Sequence, residues 1–241
     1  MCKQFALAGW VVMRIGSEDI TFDTPLLQVD YFPEMDMRCA MVANCLSVVG
    51  VEAGNPRTLP MLEQLLGPPR GGWMLHKPFG QGGVSTCSMV ALGLLRRLGV
   101  ASPQVMGPYQ IGTGLRVARS FARSLVPSAW ITPSGGMRPK PGDVIELYPH
   151  SASRDLSNHS EVVVGWEGDT IVCVAGGQEG RGGLQAIHTV RRSWIAYDAL
   201  APTSGGRSVD GWIDVDLLPI VGPVVVPIGW DGLGPMDTLV F

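Results

Sequence analysis

The hydrophobic pattern of the chain changes period near its middle. Ahead of that point, apolar residues recur every three to four positions, the spacing that lines one face of a helix. Residues 36–49 place Cys39, Val42, Ala43, Leu46 and Val49 on one face, with Gly50 as the stop. Residues 59–66 predict a second helix, ended by Gly67, Pro68 and Pro69. A glycine-rich loop follows over 68–83. The third helix, 86–98, is the most completely marked. Cys87, Val90, Ala91, Leu94 and Leu98 share a face, and Ser85 or Thr86 stands where a cap is needed. Arg96 and Arg97 occupy the last turn, where cations suit the helix dipole, and Gly99 suits the left-handed residue that follows. A further helix is predicted over 114–125.

Beyond Pro127 the pattern shortens to strands, at 143–147, 161–166, 170–175 and roughly 186–191. The middle two flank Glu167-Gly168-Asp169, which reads as a tight hairpin turn. Helices first and antiparallel strands second predict an α+β domain, with N-terminal helices packed on a C-terminal antiparallel sheet. In the tail, PIVGPVVVPIGW carries prolines that disfavour a central strand and predict an extended arm or an edge segment. The first residues, MCKQFALAGWVVMRIGSED, hold an apolar stretch too short to span a membrane and no small-residue cleavage site. They read as a strand or arm rather than a signal peptide. The chain thus divides into an arm at 1–35, a domain at 36–200 and a Pro/Gly/Trp-rich extension at 201–241.

Composition narrows the function. The 241 residues suit one large domain with a smaller appendage, and a hydrophobic fraction of 46% supports a sizeable core. Charged residues are 16% and the formal net charge is −3, so nothing resembles the basic stripe of a nucleic-acid binder. No segment has the uninterrupted apolar length of a membrane span. The five cysteines, Cys2, Cys39, Cys45, Cys87 and Cys173, form neither a CxxC pair nor a Cys/His zinc pattern. They read as free thiols in a reducing compartment, with no metal or cofactor implied.

Chemistry concentrates at Cys87. A thiolate is the reactive form, and unpaired N–H groups at a helix start lower a thiol pKa. The glycines ahead of it let a substrate approach the backbone closely. A thiol nucleophile needs a base, and the histidines are His76, His150, His159 and His188. His159 stands just before a run of valines, so it projects from the start of a buried strand; His150, after another strand, is the next choice. Gln178 ends the following strand, and the hairpin returns it beside His159. Its amide carbonyl would accept the Nδ1 proton and leave Nε2 for the thiol. Glu161, two residues beyond His159, shares its side of the strand. It could partner the ring, raise its pKa or bind substrate, and is assigned here to substrate binding.

These pieces, STCSMVALGLLRRLGV, RPKPGDVIEL, HSEVVVGWEGDTIVCV and AGGQ, come in an order that resembles the papain-like NlpC and CHAP peptidoglycan hydrolases. The resemblance covers roughly residues 36–195. It implies a papain-like fold with a half-barrel sheet. It also implies Cys87 as nucleophile, His159 as base and Gln178 as the orienting residue. Gln81, six residues before Cys87, matches the spacing of the papain oxyanion glutamine. The chain departs from the family pattern after the histidine, where Ser160 and Glu161 replace a His-Val-Gly type of start. The resemblance implies hydrolysis of a peptide or amide bond in bacterial peptidoglycan, with a stem peptide as substrate. Without a signal peptide, such a protein is expected to be made in the bacterial cytoplasm. It would reach the wall as part of a phage tail, a lysis system or a secretion machine, with 201–241 touching a structural partner. The competing expectation is a structural subunit on an inactive papain-like scaffold; a weaker one is an acyltransferase or toxin-type amidase.

Overall fold

A computed structural model describes residues 12–15, 18–19, 26–29, 36–66, 86–100, 117–134, 136–149, 158–194, 207–227 and 239–240. The expected α+β order holds. Among the described residues, four helices precede the main sheet: α1 (Met37–Leu46), α2 (Leu59–Leu66), α3 (Cys87–Arg97) and α4 (Val117–Leu125). Asp36 caps α1 by accepting from Cys39 N at 3.0 Å. The helix ends three residues before the predicted Val49, and Gly50 turns the chain with φ 84°. Gly99 closes α3 with φ 74°, as its place after Leu98 requires.

Three short strands lie near the N-terminus, β1 (Val12–Ile15), β2 (Glu18–Asp19) and β3 (Leu26–Val29). The main sheet is built from β4 (Trp130–Ile131), β5 (Val144–Pro149), β6 (His159–Glu167), β7 (Thr170–Glu179), β8 (Gln185–Ser193) and β9 (Arg207–Ile213). It is antiparallel, in the order β4-β9-β5-β6-β7-β8. The sheet therefore continues past residue 200, where the composition changes. The segment RSVDGWI enters the sheet as β9, between β4 and β5. It contains no proline; the prolines that argue against a central strand begin only at Pro219. Beyond Pro219, β10 (Val224–Pro227) pairs with β3, and β11 (Leu239–Val240) pairs with β1. These two described segments of the tail are extended, and each pairs with a strand of the N-terminal arm.

The sheet carries an apolar cluster on each face, and β6 is buried from His159 through Gly165. On the helical side, Val90, Ala91, Leu94 and Leu95 of α3 pack with Val162, Val164, Val172 and Val174. On the other side, Val163, Ile171 and Cys173 pack with Ile145, Leu147, Trp194 and Trp212. Two of the close approaches that need glycine involve α3. A Cβ on Gly93 would lie 2.2 Å from the Leu65 carbonyl oxygen of α2. A Cβ on Gly176 would lie 2.5 Å from Val90 Cγ2. Alanine in a helix interior normally gains about 1 kcal/mol over glycine. Gly93→Ala is nonetheless expected to destabilise the fold by about 1–3 kcal/mol, because backbone, not a mobile side chain, blocks the methyl. Urea unfolding of the variant measures the sign.

Arg38 ties α1 to two distant turns. Its guanidinium bonds Asp143 Oδ1 at 2.7 Å, Pro141 O at 2.9 Å and Asp216 Oδ2 at 2.6 Å, and it also pairs with Asp214. Asp143 belongs to the PGD turn and accepts from Lys140 N at 2.7 Å, so it shapes backbone as its sequence context implies. Burial pushes its carboxyl up to about 6 despite the adjoining Arg38.

Candidate active site

Helix α3 brings Cys87 to the sheet at its first turn. Thr86 occupies the N-cap position, but its side chain does not cap the helix. The hydroxyl instead accepts from Gly177 N at 2.9 Å and contacts Gln185 Oε1 at 3.3 Å, fastening the helix start to β7 and β8. Ser88 and Ser160 share a hydrogen bond of 2.9 Å, fastening the same turn to β6. Both contacts are absent from the sequence expectations. Between these fastenings Cys87 is buried, its Sγ 4.0 Å from the Asn158 carbonyl oxygen and 3.8 Å from Ser88 Oγ.

His159 opens β6 and is hydrogen-bonded to the Cys87 side chain. The structure brings together the two residues named from the sequence as nucleophile and base. The expectation for the ring does not. Nε2 lies 3.0 Å from Glu161 Oε1 and 3.4 Å from the Gln178 amide nitrogen, so it faces away from the role given to it. Gln178 reaches the ring because β7 carries an extra residue between Ala175 and Gln178, where Gly177 adopts φ 64°.

Glu161 has no exposed surface, so the substrate contact expected of it gives way to internal partners. Arg192 Nε lies 3.0 Å from each carboxylate oxygen, Arg192 Nη2 also bonds Oε1, and the Cys173 thiol hydrogen-bonds the same group. Arg192 was not foreseen. Its signal was weak: one of two adjacent arginines in TVRRS, told apart only by knowing that β8 pairs Arg192 with Ile171. Gln81, His76 and His150 lie outside the described residues. His188 contacts the Glu179 carbonyl oxygen and stands apart from the Cys87 cluster.

Charge follows from these contacts. Burial works against an imidazolium at His159, but Cys87 and Glu161 outweigh it and raise the ring to about 9. Burial would likewise raise Glu161, yet the hydrogen bonds from His159 and Arg192 draw it down to about 2. A depressed carboxyl contributes stability above its unfolded value and loses it as pH falls through the folded one. Unfolding free energy is therefore expected to drop between pH 4.5 and 2 more steeply in the wild type than in Glu161→Gln. Urea unfolding at pH 2.5 and 5 measures both; comparing the two proteins cancels the opposite trend of Asp143.

A thiol at a helix start, hydrogen-bonded to a buried imidazole, can exchange its proton with the ring and attack an electrophilic carbon. Among the described residues, no group of His, Cys, Asp and Glu could hold a metal ion, and no helix is long and apolar enough to cross a membrane.

No family model and no curated protein matches the chain. A solved structure described as "The crystal structure of Ly7917 with the hydrolyzing product of MDP" aligns at 13% identity over 79% of this chain, with a TM-score of 0.34. This chain spans 62% of that one, under two-thirds of its length.

Proposed function

We propose that the chain is a cysteine hydrolase of peptide or amide bonds in peptidoglycan, with Cys87 as nucleophile and His159 as base. The observation that carries this reading is the meeting of the two side chains, from the start of α3 and the start of β6, in a buried hydrogen bond. Papain-like NlpC and CHAP hydrolases, which the sequence resembles, use a helix-start cysteine and a strand-start histidine in this order.

In the proposed reaction, His159 accepts the Cys87 proton and the sulfur attacks the carbonyl carbon. The tetrahedral oxyanion collapses, the C–N bond breaks, and the imidazolium gives its proton to the leaving amine. Water, deprotonated by His159, then cleaves the thioester and releases the acid. Gln178 borders the ring, and Gln81 is the proposed oxyanion donor with the Cys87 N–H. Delivery to the wall by a phage particle, a lysis system or a secretion machine belongs to the same proposal.

Two measurements test it. Mass spectrometry of purified peptidoglycan incubated with the protein should show new peptide termini, dependent on His159. A thiol-directed probe should label Cys87 ahead of the other four cysteines. Intact peptidoglycan together with an unlabelled Cys87 would leave an inactive scaffold as the better account.

A further inference from the structure

His159 divides its two ring nitrogens between two neighbours. Nε2 stands 3.0 Å from Glu161 Oε1, and the ring also hydrogen-bonds Cys87. Each ring nitrogen offers one proton or one lone pair. With Nε2 committed to the carboxylate, Nδ1 is the atom left for the thiol. Gln178 competes poorly for Nε2. Its amide nitrogen is a donor, stands 3.4 Å away, and also reaches the Gly176 carbonyl oxygen at 3.3 Å. A charged acceptor at shorter range holds the ring proton more strongly.

Glu161 is itself immobilised. Its side chain is fully buried, Arg192 grips both oxygens, and Cys173 adds a thiol donor. The charged or titratable groups facing it are His159 on its own strand, Cys173 on β7 and Arg192 on β8, with Cys87 of α3 beyond the ring. A buried ion pair is an inefficient way to stabilise a fold, since apolar residues of similar volume often serve better. Here the anion of that pair is in contact with the imidazole.

We propose that Glu161, locked by Arg192, is the positioning residue of His159: it accepts the Nε2 proton, turns Nδ1 toward the Cys87 sulfur, and stabilises the charge the ring gains when the thiol gives up its proton. The assignment rests on Cys87 and His159 being the working pair. It places Gln178 beside that pair rather than in command of the ring.

The test reads the ring directly by nitrogen-detected nuclear magnetic resonance. In the wild type, above its titration, His159 should carry its proton on Nε2 with Nδ1 bare; a proton on Nδ1 overturns the proposal. In a Cys87→Ala background, Glu161→Gln should make His159 titrate about one to three pH units lower, and Glu161→Asp should recover part of that. An unchanged titration in Glu161→Gln, or a larger shift from Gln178→Ala, also overturns it. If Glu161→Gln does not fold because Arg192 is left unpaired, the double variant Glu161→Gln/Arg192→Met removes both charges and carries the same expectation. The wild-type measurement needs no variant. No substrate enters any arm, so a protein inert toward peptidoglycan whose ring behaves as expected sinks the hydrolase reading alone.

Discussion

Under the proposed function, Cys87→Ala is expected to lower peptidoglycan hydrolysis by about ten-thousand-fold or more while leaving the fold intact. The size follows from the role. Without the sulfur no acyl-enzyme can form, and His159 has no thiol proton to accept. The fold should hold because the change removes one buried sulfur and leaves the fastenings of α3 untouched. Those are Thr86 to Gly177 and Gln185, and Ser88 to Ser160. Stability should therefore change by about 1 kcal/mol or less. Release of new amino groups from purified walls reports activity, and thermal unfolding reports the fold. Undiminished digestion by a folded Cys87→Ala protein would remove Cys87 from the mechanism, whatever the ring geometry.

The largest effect on stability is expected from Arg38→Ala. Arg38 is the cation facing Asp143, a carboxylate only 1% exposed, and it also gathers Asp214, Asp216 and the Pro141 carbonyl. Removing one member of a buried pair leaves the other charge uncompensated, at a cost of about 3 kcal/mol or more. For a chain of this length that corresponds to a melting temperature lower by ~6–12 °C. The loss should depend on pH in a defined direction. Asp143 already titrates near 6, above its unfolded value of 3.8, and loss of Arg38 raises it further. In the variant, the native state then binds more protons than the unfolded chain over a wider range, so its stability falls as pH rises. The deficit against wild type should be greatest at pH 7 and above, and shrink toward pH 5 as Asp143 becomes neutral. A deficit independent of pH would mean that Arg38 acts through packing rather than charge.

Much of this arrangement was legible in the sequence where local rules apply. Periodicity, terminal arginines and Gly99 marked α3, and Gly168 marked the β6–β7 turn. The valine run after His159 marked a buried strand, so the meeting of Cys87 and His159 followed from element order. What escaped depends on register. The β6–β7 and β7–β8 ladders each contain an irregularity, between Val163 and Gly165 and between Ala175 and Gln178. Each shifts which side chains oppose one another, and alternation along one strand does not reveal it. That is why Arg192 was missed and the ring was expected the other way round. Residues 207–213 escaped for a different reason. Prolines begin only a few residues further on, and a compositional boundary near residue 200 absorbed a strand that belongs to the sheet. Ser85 or Thr86 was expected to cap α3 because either residue type suits that job; Thr86 takes the position but does a longer-range job instead.

The place of β9 bears on when Cys87 and His159 can be brought together. Strand β5 hydrogen-bonds β6 on one side and β9 on the other, yet β9 is made more than fifty residues after β5. During synthesis, the helix bearing Cys87 and the hairpin bearing His159 and Gln178 leave the ribosome while β5 still has an open edge. Contacts this distant in sequence close late. A growing chain therefore holds every reactive group before it holds the sheet that aligns them. The assembled thiol–imidazole pair therefore waits on residues 207–213, which are made after every residue of the pair itself.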